Sequence, residues 1–175
     1  MEDPKGLMRV VKFMYGDVAS PEGFWYSHQV KDVRGLSEEK LYWVPDPKSL
    51  CMLWHVGHIA HRERTHIGQF LQGLDPPLVP PEFEVFGPDW HPVEEVRNAV
   101  KSVTDVFDWA AQVRRQSQEY LAPLEPGDLF RELEFPEKGL TVAHWLFITA
   151  AHTALHVGKI QLLRALAQGE PDRAC

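Results

Sequence analysis

Cysteine is nearly absent. The chain has two, Cys51 and Cys175, in 175 residues. So few thiols exclude a disulfide framework and point to a reducing cytoplasm. Clustered positive charge is missing as well. Eighteen Lys and Arg stand against 25 Asp and Glu, a net charge of −7, and no basic run occurs. Binding to a phosphate backbone needs clustered Lys and Arg, so no nucleic-acid partner is expected. No run of about 18 apolar residues exists, so no segment is expected to span a membrane. The first residues, MEDPKGLMRVVKFMYGD, lack a signal-peptide apolar region of useful length. There is no internal repeat and no low-complexity tract. At this length one domain, 1–175, is the expectation, with enough chain for a core that needs no disulfide staples.

What the chain has in excess is histidine and tryptophan, nine and six residues. Such an excess marks a site only where the histidines converge. The stretch 141–169, TVAHWLFITAAHTALHVGKIQLLRALAQG, reads as one long helix opened by Thr141. His152 and His156 are four residues apart on it, one above the other on a single face. Trp145, Ile148, Thr149, Leu155, Lys159 and Leu163 are expected on the same inward stripe. Two histidines there need partners for their ring nitrogens, either side chains and water or a shared metal ion.

A second long helix is expected from about Lys48 to Gln72, stopped by Gly73. At about 100° per residue, His58 shares its face with Cys51, His55, Arg62, Thr65 and Gln69. His61 and His66 diverge to the flanks, and His61, near Glu63 and Arg64, is expected to reach solvent. Spacing argues against Glu63 as a base toward His58. Cys51 is expected to be a buried structural thiol. The proline-rich stretch 74–92 is long for a structureless connection. It covers a site, contacts a partner, or serves as a tether packed by Phe83, Val85, Phe86 and Trp90.

The rest of the chain supplies further helices. Residues 5–15 have Leu7, Val10, Val11 and Met14 at helical spacing. Ser20-Pro21-Glu22 starts a helix that runs to about Arg34, with Trp25, His28 and Gln29 toward one side. Ser37-Glu38-Glu39 opens a short turn. A third long helix starts at Pro92 and ends near Pro123, with a seam of Val93, Val96, Val100, Val103, Phe107 and Ala110. Residues 124–139 form a short extended piece at best. Four long amphipathic segments with one long connection, between the second and third, predict an all-α four-helix bundle, an architecture that builds metal sites from facing helices.

WHVGHIAHRER (54–64), followed far downstream by HTALHVGKIQLLR (152–164), resembles the DinB/YfiT-like superfamily. GLSEEKLYWVP (35–45) is similar to that family's approach to its second helix. The resemblance covers about residues 20–167. It implies a four-helix bundle carrying a divalent metal on three histidines, one from the second helix and two from the last. Here those positions fall on His58, His152 and His156. Lys159 stands where the family commonly has glutamine. His55, Arg62, Trp145 and Lys159 are the residues expected around the pocket. Zinc or nickel is the expected ion, and three imidazoles leave a coordination position open. The resemblance also implies hydrolase or thiol-dependent S-transferase chemistry on a small-molecule substrate, with a low-molecular-weight thiol as candidate partner, and a homodimer. The alternative is a non-catalytic bundle that binds a ligand or partner, with the metal absent or structural.

Overall fold

The structure is a computed structural model that describes residues 3–16 and 30–169, and for residues 31 and 32 the backbone alone. Most of the expected helix from Ser20, with Trp25, His28 and Gln29, lies outside those residues, as does Cys175.

Seven α-helices are described, and no strand. α1 (Pro4–Tyr15) is opened by the Asp3 side chain, which accepts from the Gly6 N–H at 2.9 Å, with Pro4 in its first turn. Its buried face is Leu7, Met8, Val11 and Tyr15, while Val10 is exposed. α2 (Val30–Arg34) and α3 (Glu38–Leu41) are short. α4 (Met52–Glu63) continues as a π-helical stretch, Arg64–Leu71, to the positive-φ Gly73. It begins four residues later than expected. The Asp46 carboxylate accepts from the Lys48 N–H and the Ser49 hydroxyl, which holds 46–49 as a turn.

The connection that follows contains a 3₁₀ turn, Pro81–Phe86, whose Phe83 and Phe86 are buried. The expected third helix is two helices, α5 (Val93–Ala99) and α6 (Val103–Leu121). Val100 is extended, and the Ser102 side chain caps α6 by accepting from the Asp105 N–H. A serine that can cap offers the backbone a way out of the helix, and here it takes it. The seam survives the break, with Val96, Val100, Phe107 and Ala110 buried. Residues 126–130 form a second 3₁₀ turn, and Glu132 makes a lone antiparallel bridge to Thr141. α7 (Val142–Gln168) has a capping box in which Thr141 and His144 satisfy each other's backbone N–H groups, and it ends on left-handed Gly169.

Two clusters of buried side chains hold these elements. One joins α4 to α5, α6, the 81–86 turn and the C-terminal half of α7. The other joins α1 and the π stretch to the N-terminal half of α7. α4 is the central element, buried along almost its whole length between α6 and α7.

Candidate metal centre

α4 and α7 bring three histidines together. His58, His152 and His156 each present a ring nitrogen within 4.8 Å of the other two. His58 and His156 are buried and His152 is half-buried. His58 Nε2 lies 3.2 Å from His152 Nε2. Two imidazole nitrogens on one tetrahedral zinc, each at about 2.0–2.1 Å, stand about 3.3 Å apart.

The other nitrogen of each ring decides whether it has a lone pair to offer. His58 Nδ1–H donates to the carbonyls of Phe86 at 2.8 Å and Gly87 at 3.1 Å, which leaves Nε2 unprotonated and facing its partners. His156 Nδ1 meets His55 Nδ1 at 2.9 Å, leaving Nε2 of His156 free. His152 Nδ1 is buried without a hydrogen-bond partner. Without a cation, His152 carries its proton on Nε2 and donates to His58; a cation between them takes the place of that proton. The donor set therefore fits a divalent ion, with the orienting hydrogen bonds usual for ligating imidazoles on two rings of three.

Burial keeps these rings neutral. Desolvation, joined by the neighbouring rings and by Arg62 and Lys159, lowers the pKa of His58 and His152 to about 4 and that of His156 to about 2. His55 falls to about 3, through desolvation first and then Lys159 and His58. Neutral imidazole is the form that binds a metal, so no proton has to be displaced at neutral pH.

The 81–87 segment positions His58. Trp54 Nε1–H donates to the Val85 carbonyl at 3.1 Å, and the Trp54 ring stacks on that of His58 at 4.3 Å. Phe86 packs directly on Gly57, where an added Cβ would sit 2.4 Å from the ring. Glycine at 57 thus lets the loop lie flat on the helix with its carbonyls over His58.

The other expected residues are distributed as follows. His55 bonds to His156. Arg62 is half-buried, its charge lowers the pKa of His58, His66 and His152, and it has no hydrogen-bond or ion-pair partner among the described residues. Trp145 packs edge-on against His66 and Phe70. Lys159 is exposed and faces His55. Cys51 is fully buried, and desolvation raises its thiol to about 11.

Three readings need correction. His61 does not reach solvent: the 81–86 turn folds over it, and Nε2 sits 3.3 Å from the Glu84 carboxylate. The reading of Glu63 stands: it is buried on the opposite side of α4 from His58, paired with Arg114 of α6 at 2.8 Å. Ile148 and Leu155 are exposed, so the inward stripe of α7 is narrower than drawn and centres on Thr149, His152 and His156. His66 is not a flank residue. It is buried, and its Nδ1–H donates to Thr149 Oγ1 at 2.9 Å, that hydroxyl in turn donating to the Trp145 carbonyl. His66 Nε2 is then a buried lone pair with no donor. The π stretch explains the shift. At about 4.4 residues per turn each residue advances less than in an α-helix, which swings His66 back toward the face of His58.

Among the described residues no helix is long and apolar enough to cross a membrane. Fold and geometry together define an all-α protein with an inward histidine cluster between two long helices. The chain matches the DinB superfamily over residues 29–160, three quarters of its length, and belongs to that superfamily. No curated protein matches it.

Proposed function

We propose that His58, His152 and His156 hold one divalent ion, zinc or nickel, and that the protein is a metal-dependent enzyme of the hydrolase or thiol-dependent S-transferase type. The observation that carries this reading is the convergence of three neutral imidazoles, with two Nε2 atoms 3.2 Å apart and one of them fixed by backbone carbonyls. Three protein ligands leave a coordination position open, whereas structural sites are usually closed by four. The bound ion supplies a Lewis acid that activates water or holds a thiolate at neutral pH.

The surrounding residues would then select and orient the substrate. Arg62, unpaired and half-buried, suits an anionic group such as the carboxylate of a low-molecular-weight thiol. His66 Nε2 is an acceptor for a substrate O–H or N–H. The Trp54 and Trp145 rings supply apolar walls. Metal analysis of protein purified without a nickel column tests the reading: about one ion per chain is expected, and His156→Ala should lower both metal content and turnover. Folded wild-type protein with far less than one ion per chain would remove it.

A second reading is favoured by one observation. Among the described residues the cluster contains no carboxylate, and burial holds its histidines far below neutral pKa values, so no ready proton shuttle stands beside it. The bundle would then bind metal and ligand without turnover. Chelation would lower the melting temperature while neither hydrolytic nor thiol-transfer substrates react. Under either reading we place the protein in the cytoplasm as a homodimer, the latter on the exposed apolar stripe of α7.

A further inference from the structure

A cleft lies beside the histidine cluster, reached through His55. It has a volume of about 300 Å³ and lies between the 45–50 turn, Trp90 and the C-terminal half of α7. None of His58, His152 or His156 lines it. His55 does, and His55 is the ring whose Nδ1 meets His156. The volume is at the lower end of small-molecule sites.

We propose that this cleft is a separate binding site for a small amphipathic monocarboxylate. Its charged lining is two ammonium groups, Lys48 and Lys159, and no carboxylate lines it. Neither lysine has an ion-pair partner among the described residues. Asp46, the nearest acid on the turn, is engaged by the Ser49 hydroxyl and the Lys48 N–H. Apart from Ser49 and His55 the remaining walls are apolar, chiefly Leu162, Leu166 and Trp90. Trp90 is half-exposed yet held in place, its Nε1–H donating to the Lys48 carbonyl at 3.0 Å. A ligand that fits has one anionic end for the two ammoniums and a short hydrocarbon chain for the leucines and the indole.

His55 joins the two sites. When His156 offers Nε2 to a metal, its Nδ1 carries the proton and donates to His55 Nδ1, so His55 must carry its own proton on Nε2. That makes His55 a donor, and a carboxylate in the cleft is the complementary acceptor. This last contact alone rests on the metal reading; the lysines and apolar walls do not.

Octanoate is the probe, with octan-1-ol as the uncharged control, titrated into the full chain both chelator-treated and zinc-loaded. Tryptophan fluorescence, with Trp90→Phe to assign the signal, and calorimetry follow binding. Saturable binding of one octanoate per chain in both forms is expected, with octan-1-ol at least about tenfold weaker. The doubly substituted K48M/K159M chain, altered only at exposed positions and keeping the apolar stems, should lose about tenfold in octanoate affinity and none in octan-1-ol affinity. Equal binding of acid and alcohol would overturn the proposal, as would an unaltered octanoate affinity in the double variant. Octanoate binding that disappears with the metal would place the carboxylate on the ion instead. Binding confined to dilute monomer would mean that a second copy fills the cleft. Either result also overturns it.

Discussion

The histidines of this protein are chemically committed by burial. Each ring in the cluster is desolvated, and its pKa falls below the ordinary 6.5, to about 4 for His58 and His152 and about 3 for His55 and His66. The unfolded chain therefore binds protons first as the pH drops. The stabilisation is complete above about pH 6.5 and is lost as the pH falls toward 4, at up to about 1.4 kcal/mol per unit for each such ring. The melting temperature of chelator-treated protein should be level from pH 8 to 7 and fall by at least about 10 °C by pH 5. A flat profile down to pH 5 would show that these rings take up protons without unfolding. His55 makes a different prediction. It orients His156 through Nδ1 and touches no other ring of the trio through a hydrogen bond. His55→Ala should retain the three imidazoles and still weaken zinc binding by about 10–100-fold. Competition with a chromogenic chelator measures this, and an unchanged affinity would make the His55–His156 contact incidental.

At the scale of elements, the link that matters joins a loop to a helix. Residues 81–87 are pinned to α4 by Trp54 and His58 and seated by Gly57. A methyl at 57 meets the Phe86 ring and pushes the carbonyls off His58. Gly57→Ala should cost about 1–3 kcal/mol in denaturant unfolding, as overpacking does, and should weaken metal binding along with it. Gly35→Ala, with nothing within 4 Å of the added carbon, should stay within about 0.5 kcal/mol. Equal effects from the two substitutions would dissociate the loop from the site. The same pair of elements shows what a sequence reveals. The start of α7 and the stop of the second long helix were legible because caps are local: Thr141, and at Gly73 a glycine free to adopt positive φ. The inner positions of His58, His152 and His156 followed from helical period and family likeness. The carbonyls of Phe86 and Gly87 were not legible, since every residue has one and only the tertiary fold aims it. Nor was the return of His66, which depends on a change of helical pitch that no residue in 64–71 announces. The width of the α7 stripe was misjudged because that helix is apolar almost all round, so its period says little about which side faces in.

That apolar excess acts on the whole molecule. Ile148, Leu155 and Leu162 are 41%, 59% and 46% exposed and recur every seventh residue, which keeps them on one side of α7 with a drift of about 20° per heptad. The stripe is about 21 Å long. Phe147, also exposed, widens it at the N-terminal end; Leu162 and Leu166 at the other end line the carboxylate cleft and stay open there, so the pairing centres on Ile148 and Leu155. An apolar surface of this continuity is uncommon on a monomer, and the proposed homodimer would cover it. Pairing two copies brings together two net charges of −7, so the association should strengthen as salt screens them, with a Debye length of about 10 Å at 0.1 M and about 30 Å at 0.01 M. Light scattering should give twice the 20.1 kDa chain mass at physiological salt and a lower average in dilute buffer. Leu155→Glu places a charge in the middle of the stripe, at a position that is 59% exposed and one turn from His152. It should yield a monomer that keeps its helical content and its metal stoichiometry. A wild-type mass of one chain at every salt and protein concentration would leave the stripe without this role. Loss of metal together with loss of mass in the variant would mean instead that the partner copy helps to build the centre, and that the two proposals stand or fall as one.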